Sequence, residues 1–241
     1  MTIRFAADLR LFLPARHRGG NVSVRHDGTS SLGHVVESLG VPLPEVGRLT
    51  ANDEEVAPSY RPRAGDEIGV EAVRRPQPLP MSPPRLLLDV HLGTLARRLR
   101  LLGVDAAYRN DADDDALVHQ AREEGQVLLT QDRGLLRRRA LPMGAYVRGS
   151  RPADQLADVL DRFDLALTPY TRCTACNGTL APVAKRDVAD RLEPGTLRSY
   201  DEFARCRDCG AVYWHGAHGD RLDALVRAAT ERADVSDASR D

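Results

Sequence analysis

The stretch Arg85-Leu86-Leu87-Leu88-Asp89 carries the clearest folding signal in the chain. A short, unbroken apolar run of this kind is typical of a strand that is buried on both faces of a parallel sheet. Leucines and Ala96 recur at helical spacing directly after it, from Leu92 to Leu102, and Gly103 is placed to end that helix. The run therefore predicts the first strand and helix of an α/β domain.

The alternation of strands and helices continues as far as residue 168. We expect strands around 104–108, 126–130 and 145–148, because these short segments are apolar and lie between turn signals. Helical spacing of apolar residues predicts one helix after the acidic turn 111–115 and a closing helix that carries Leu156 and Phe163. Repeated β-α-β units predict a mostly parallel sheet with flanking helices, and we assign residues 85–168 to this domain.

Acidic side chains stand where such a sheet binds ligands. Asp89 and Asp132 follow two of the apolar strands, and ligands of open α/β sheets bind beyond the carboxyl ends of the strands. Asp114 lies at or near the start of the intervening helix, with Asp113 and Asp115 as alternatives for the same role. Converging carboxylates favour one or two Mg²⁺ or Mn²⁺ ions, which can promote phosphodiester hydrolysis. Alternatively, these acids are only helix caps or a solvated turn.

All four cysteines lie in two CxxC units, Cys173-Thr174-Ala175-Cys176 and Cys206-Arg207-Asp208-Cys209. This pattern predicts one tetrahedral zinc site of structural type, because four thiolates leave no position for water or substrate. Asn177-Gly178 and Gly210 supply the turn residues that such knuckles need. The 29 residues between the two units exceed the usual spacing, so we expect this stretch to carry structure of its own. The alternatives are disulfides or buried thiols.

The first 73 residues show a different pattern. Alternating strands at both ends and a helix carrying Leu32, Val35 and Val36 predict a small β-grasp domain, which resembles the ubiquitin-like relatives of sulfur carriers. Sulfur carriers act through a free C-terminal Gly-Gly, whereas this segment continues into a proline-rich linker over 74–84. We therefore expect the domain to position RNA or to dock a protein partner.

Composition restricts the class of protein. The chain has 241 residues and a net charge of −1, so any argument for nucleic-acid binding must rest on local clusters. The sequence has no apolar run of about 18 residues, which predicts a protein without a membrane span. We expect a cytoplasmic location, where thiols stay reduced and favour a metal. We assign 169–220 to a zinc ribbon and 221–241 to a C-terminal helix and a disordered tail.

Basic and aromatic residues could contact RNA, although charged runs are often only solvated faces. In the α/β domain the candidates are Arg97, Arg100, Arg133, Arg137, Arg138 and Arg139, and in the ribbon they are Arg172, Lys185, Arg186, Arg205 and Arg207. Tyr213 and Trp214 either stack on a base or pack over the zinc site. His215 and His218 are alternative metal ligands, groups that support the zinc ligands, or phosphate contacts.

These motifs together resemble the PIN-like ribonuclease family of the Mut-seven C-terminal type. The resemblance rests on Asp89-x-x-Leu92-Gly93-x-Leu95-Ala96-Arg97, Asp114 through Ala121, Leu128-Leu129-Thr130-x-Asp132 and the two cysteine units, which Tyr213-Trp214-x-Gly216-x-His218 follows. It implies a PIN-type α/β fold and metal-dependent RNA cleavage, with Asp89, Asp114 and Asp132 as catalytic acids that bind Mg²⁺ or Mn²⁺. Arg98 departs from the aromatic residue expected there, and no fourth acid follows Asp132.

Two functions remain open from the sequence. The first is a metal-dependent endoribonuclease whose zinc ribbon helps to bind RNA. The second is a non-catalytic adaptor that binds RNA or the ribosome, in which the same acids hold a structural cation or none. In both cases RNA is the expected partner, and a protein could dock on the β-grasp domain.

Overall fold

The computed structural model describes residues 1–25, 27–214 and 223–231. The strands are β1 (Thr2–Phe5), β2 (Asn21–Ser23), β3 (Val46–Ala51), β4 (Glu54–Glu55), β5 (Glu67–Ala72), β6 (Arg85–Leu88), β7 (Asp105–Tyr108), β8 (Val127–Thr130), β9 (Gly144–Tyr146), β10 (Leu180–Val183), β11 (Phe203–Cys206) and β12 (Val212–Trp214). The α-helices are α1 (Leu32–Ser38), α2 (Gly93–Leu101), α3 (Asp114–Glu123), α4 (Pro152–Arg162) and α5 (Pro194–Ser199), and residues 223–231 are also helical. The predictions for His215, His218 and the tail beyond residue 231 fall outside the described residues.

The chain divides into two units. The first joins Met1–Gln77 to Asp113–Val147, and the second joins Pro78–Ala112 to Arg148–Asp241. Neither unit coincides with one of the domains expected from the sequence, so the proposed domain boundaries stay predictions.

Residues 1–77 form a five-stranded sheet in the order β2-β1-β5-β3-β4, in which β1 and β5 are parallel and the other pairs are antiparallel. Buried and exposed residues alternate along β1, so Ile3 and Phe5 point into the core. Helix α1 adds Val35 and Val36 to that core, and the Ser31 hydroxyl caps it by accepting from the His34 N–H. The ubiquitin-like fold expected from the strand pattern is confirmed.

A buried carboxylate organises one end of this sheet. Asp66 accepts hydrogen bonds from the Arg63 N–H at 2.8 Å, the Tyr60 hydroxyl at 2.9 Å and the Asn52 side-chain amide at 3.1 Å. Asn52 and Asp53 have φ angles of 51° and 68°, which suits the tight turn between β3 and β4. The hydrogen bond from the Arg63 backbone, which outweighs the effect of burial, holds the pKa of Asp66 below its ordinary value.

The α/β strands pair in parallel, as the sequence predicts. In the second unit β6 pairs with β7, and in the first unit β8 pairs with β9. All four residues of β8 are buried, and helices α2, α3 and α4 each bury one apolar face. Gly103 follows α2 at a φ of 82°, where a Cβ would lie 2.0 Å from the Thr168 carbonyl oxygen. The mixed α/β class with a parallel sheet is therefore confirmed.

Within the first unit, Arg133 ties the segment 113–147 to the ubiquitin-like sheet. Its guanidinium donates to the carbonyl oxygens of Phe12 at 3.0 Å and Leu11 at 2.9 Å, and it lies over the rings of Phe12 and Tyr146. The Tyr146 N–H donates to the buried Glu45 carboxylate at 2.8 Å. The ubiquitin-like part is therefore packed against this segment of the chain by specific contacts. None of the helices in the described residues is long and apolar enough to cross a membrane.

Candidate metal centres and nucleic-acid interface

The cysteines lie at and beside an antiparallel sheet of order β10-β11-β12. Cys206 is the last residue of β11, and the other three cysteines lie outside the strands. The long stretch between the two CxxC units contributes β10, the 3-10 turns Lys185–Asp187 and Ala189–Arg191, helix α5 and most of β11. The expectation that this stretch carries its own structure is confirmed.

The four cysteine sulfurs converge. Their Sγ atoms all lie within 4.8 Å of one another, with 3.6 Å between Cys173 and Cys209 and 3.4 Å between Cys176 and Cys206. Four sulfurs at about 2.3 Å from one zinc ion would be separated by about 3.8 Å. The four thiols are not paired as disulfides. The donor set therefore fits a tetrahedral metal such as zinc, with no position left for a substrate.

The two knuckles share one backbone geometry. The Asn177 N–H donates to the Cys173 carbonyl at 2.9 Å, and the Gly210 N–H donates to the Cys206 carbonyl at 3.1 Å. Asn177 and Gly210 have nearly equal φ angles, 74° and 73°, in the left-handed region. The two CxxC units are therefore related as a repeated turn, in which an asparagine occupies the position that a glycine fills in the second turn.

The thiols lie in a setting that needs a cation. Burial acts to raise the pKa of Cys173, but hydrogen bonds from the Tyr213 hydroxyl and nearby backbone N–H groups outweigh it and hold that pKa at about 6. Burial raises the pKa of Cys176 to about 12, and the adjacent sulfurs add to this effect. Four thiolates at these distances repel one another, so full deprotonation requires a bound metal. Tyr213 thus packs at the four-cysteine site, which agrees with one of the two roles expected for it.

The first knuckle is fixed to strand β7. Asn177 Oδ1 accepts from the Ala106 N–H at 3.1 Å, and Asn177 Nδ2 donates to Asp105 Oδ1 at 2.7 Å. Arg172 pairs with the other oxygen of Asp105 at 3.2 Å. These contacts provide hydrogen-bond partners for the Ala106 N–H and the Asp105 carboxylate of β7, in addition to the pairing of β7 with β6. Sequence reasoning missed this role of Asn177, although its difference from Gly210 was a signal for it.

Arg100 completes the attachment from the α2 side. This side chain is 3% exposed, donates to the Ala106 carbonyl at 2.8 Å, and reaches the carbonyls of Thr174 at 3.2 Å and Ala175 at 2.8 Å. Burial lowers its pKa, while the sulfurs of Cys176 and Cys173 oppose that effect. Arg100, a candidate RNA contact in the sequence, instead has its guanidinium engaged between α2, β7 and the first knuckle.

The acidic candidates stand at strand ends and at a helix start. Asp89 follows β6, is buried, and accepts from the Val90 N–H at 2.6 Å. Asp113 is the N-cap of α3 and accepts from the Ala116 N–H, whereas Asp115 pairs with Arg138. Asp114 is exposed, and no described residue bonds to its carboxylate. Asp113 and Asp115 thus have described partners of their own, and the role of Asp114 as the second acid stays a prediction.

Asp132 is held by a turn after β8. Its Oδ1 atom accepts from the N–H groups of Gly134 at 2.6 Å and Leu135 at 3.3 Å, and its own N–H donates to the Thr130 hydroxyl at 2.8 Å. Asp114 and Asp132 belong to the first unit and Asp89 to the second. Among the described residues, the four cysteines are the one group of three or more His, Cys, Asp or Glu side chains whose ligand atoms lie close enough together to hold a metal. The meeting of the three acids at one ion stays a prediction.

The arginines separate into two groups. Arg97, Arg137 and Arg139 are exposed to solvent, as a phosphate-binding role requires. Arg100, Arg133 and Arg138 are engaged by carbonyl groups or by Asp115. In the ribbon, Lys185 pairs with Asp201 at 2.8 Å and Arg186 with Asp187 at 3.5 Å.

Comparison with known proteins places these features in a family. Residues 84–226 match the Mut7-C RNAse domain. The chain belongs to the Mut7-C RNAse domain family. Residues 1–78 match the Mut7-C ubiquitin domain, in agreement with the β1–β5 sheet. The family resemblance drawn from the sequence motifs is confirmed.

One curated relative is described as an exonuclease mut-7 homolog from Homo sapiens. It is 35% identical to this Mut7-C chain over 117 residues, which are 45% of the chain and 13% of that protein. The chain therefore spans only a small part of that relative. No solved structure matches the chain.

Proposed function

We propose that this Mut7-C protein is a metal-dependent endoribonuclease that hydrolyses RNA phosphodiester bonds, with the zinc ribbon helping to bind RNA. The observation that supports this most directly is the match of residues 84–226 to the Mut7-C RNAse domain. Asp89 and Asp132 also support it, because they follow the carboxyl ends of β6 and β8, where parallel sheets bind ligands.

Asp89, Asp114 and Asp132 would hold Mg²⁺ or Mn²⁺, and their hard carboxylate oxygens suit these ions. When bound, the ion would stabilise the negative charge that develops on the phosphodiester during hydrolysis. Backbone N–H groups hold Asp89 and Asp132 in fixed positions, so their orientation does not depend on the ion. The exposed Arg137 and Arg139, five and seven positions after Asp132, would attract the RNA phosphates.

RNA cleavage by the purified full-length protein tests the proposal. Linear and covalently circular single-stranded RNA are incubated with Mn²⁺ or Mg²⁺, since a circle has no end for an exonuclease. We expect both substrates to be cut. Asp89→Asn and Asp132→Asn should abolish cutting and leave RNA affinity equal or higher, because each removes a negative charge near the phosphates. Asp113→Asn is the matched control, since asparagine also caps helices and should preserve cutting.

Each other result points to a different function. Cutting of the linear RNA alone would contradict the endonuclease part and favour end-directed cleavage, as the name of the human relative, exonuclease mut-7 homolog, suggests. No cutting with either ion, or equal cutting by wild type and both aspartate variants, would reject the proposed enzyme. RNA binding without cutting would then favour the adaptor.

A further inference from the structure

One face of the ribbon sheet combines an exposed aromatic ring with basic residues. Residues directly opposite each other in an antiparallel pair lie on the same face, and in the β11–β12 pair Phe203 is opposite Trp214 and Arg205 is opposite Val212. Tyr213 belongs to the other face, where its hydroxyl lies 3.0 Å from Cys173 Sγ. The two neighbouring aromatic residues therefore have different tasks, and only Trp214 is on the face away from the cysteines.

Trp214 is supported on one side and open on another. Its ring packs on Phe203, with 6.3 Å between the ring centroids, and Phe203 is only 5% exposed. Trp214 is 42% exposed, an unusual state for a large aromatic side chain. A tryptophan ring that packs on a buried ring and stays partly exposed to solvent can stack on a nucleic-acid base.

A groove with a cavity volume of about 610 Å³ lies next to this face of the ribbon sheet. Trp214 does not line the groove, but Arg205 does, and Arg205 lies on the same face of the sheet as Trp214. The groove is lined by the apolar residues Ala181 and Val183, by Arg191, Arg205 and Arg207, and by Cys206 and Cys209 of the second knuckle. Arg191 is held in place by its bond to the Gly210 carbonyl at 2.9 Å. The groove therefore has three exposed arginines beside the second cysteine knuckle, and one of them, Arg191, is held by a backbone carbonyl.

Among the described residues, the arginines of the groove outnumber its acids. Three arginines line it against one acid, Asp208. No carboxylate of the described residues pairs with the side chains of Arg205 or Arg207, in contrast to Lys185 and Arg186. Guanidinium groups bind phosphate oxygens through paired hydrogen bonds, so a polyanion is the complementary occupant.

We propose that this groove and the adjoining aromatic face together bind single-stranded RNA, with one base stacked on Trp214 and the adjacent phosphates on Arg205 and Arg207. Single-stranded nucleic acid is the occupant that uses both features, since its bases expose their faces and its backbone supplies the charge. The choice of RNA rests on the proposed function, but binding at the groove does not require cleavage.

Trp214 is the only tryptophan in the chain, so its fluorescence reports on this site alone. The experiment uses full-length, zinc-loaded protein carrying Asp132→Asn, without added Mg²⁺ or Mn²⁺, and a 12-nucleotide unstructured RNA. We expect saturable quenching of the tryptophan emission. The double variant Arg205→Ala/Arg207→Ala should weaken binding at least about tenfold and reduce the salt dependence by about 1.4 logarithmic units per decade of salt.

The controls keep the outcome interpretable. Trp214→Ala, followed by anisotropy of labelled RNA, should weaken binding at least about fivefold, whereas Trp214→Phe should retain most of it. Arg198→Ala should leave affinity and quenching unchanged, because that exposed arginine of α5 does not line the groove. Equal zinc content in all variants shows that the ribbon is folded.

Absence of quenching, or unchanged RNA affinity in the double arginine variant, would overturn the groove proposal. Equal competition by an RNA duplex would also contradict it, because duplex bases cannot stack on Trp214. If the wild type still cuts RNA in any of these cases, the groove assignment alone fails and the proposed nuclease function stands. If the wild type neither quenches nor cuts, both proposals fail.

Discussion

Asn177 joins the first cysteine knuckle to strand β7, since its Oδ1 atom accepts a hydrogen bond at 3.1 Å from the Ala106 N–H. The same residue adopts a φ of 74° to close the first cysteine knuckle, where the second knuckle uses Gly210. An asparagine tolerates this left-handed conformation and adds a side chain that glycine lacks. One residue therefore shapes the knuckle and attaches it to β7.

Two substitutions at Asn177 should separate these roles. Asn177→Gly keeps the backbone conformation and removes the side-chain bonds, so it should lower the free energy of unfolding by roughly 1–2 kcal/mol and retain zinc. Asn177→Ala should cost more because alanine is strained at this φ. Hydrogen exchange at the Ala106 amide measures the lost bond directly. Unchanged exchange in Asn177→Gly would show that the bond does not hold the ribbon.

Zinc should be bound at about one ion per chain after purification without a chelator. Removal of the metal should unfold the ribbon, because four close thiolates then lose the charge that holds them together. Elemental analysis, paired with circular dichroism before and after chelation, checks both points. Cys206→Ser should lose zinc, whereas Tyr213→Phe should keep it. Stoichiometric retention of zinc by Cys206→Ser would contradict a four-cysteine site.

Arg133 should act on stability more than on RNA binding. Arg133→Ala removes two hydrogen bonds to carbonyl groups and the stacking on Phe12 and Tyr146, so we expect a loss of roughly 2–4 kcal/mol in urea unfolding. The exposed Arg137 is the matched control, and Arg137→Ala should leave stability within about 0.5 kcal/mol. If Arg133→Ala instead weakened RNA binding and kept full stability, Arg133 would be a direct RNA contact.

The Asp66 network should make the ubiquitin-like part sensitive to acid. The pKa of Asp66 in the folded protein lies below its value in the unfolded chain, chiefly because of the Arg63 N–H. Its contribution to stability is therefore present above the unfolded pKa of about 3.9 and is lost as the pH falls through the lower, folded value.

Urea unfolding between pH 2.5 and 7 tests this sign, with Asp66→Asn as the comparison. At pH 7 we expect the variant to be less stable by roughly 1–3 kcal/mol, since asparagine offers fewer acceptor sites to three donors. The gap should shrink as the pH falls below about 4. A gap that is independent of pH would show that the charge of Asp66 does not support the fold.

The sequence predicts the parts of this structure that depend on contiguous residues, and it does not predict contacts between distant residues. The apolar runs of β6 and β8 and the two CxxC units are contiguous patterns. The runs form the strands predicted for them, and the CxxC units bring four sulfurs close enough together to hold a metal such as zinc. Arg100 and Arg133 could not be distinguished from surface arginines, because their partners are carbonyl groups up to 75 and 122 positions away. Every residue has a backbone carbonyl group, so the residue types do not show which carbonyl groups an arginine contacts.

The acidic turn shows a second limit of sequence reasoning. Three consecutive aspartates offer equivalent chemistry, and only the first turn of α3 shows that Asp113 is the cap and that Asp115 faces Arg138. The structure thus shows partners for Asp113 and Asp115 that no spacing rule contains, and the metal-binding role of Asp114 stays a prediction. Trp214 and Tyr213 differ in the same way, since adjacent residues of a strand face opposite sides.

The central claim is that Asp89, Asp114 and Asp132 hold the divalent ion that supports RNA hydrolysis. Electron paramagnetic resonance of Mn²⁺, titrated into the zinc-loaded protein, measures that binding directly. We predict that Asp89→Asn, Asp114→Asn and Asp132→Asn each weaken Mn²⁺ binding at least about tenfold, while Asp113→Asn remains within about twofold of the wild type. Wild-type Mn²⁺ affinity in any one of the three variants would contradict the claim.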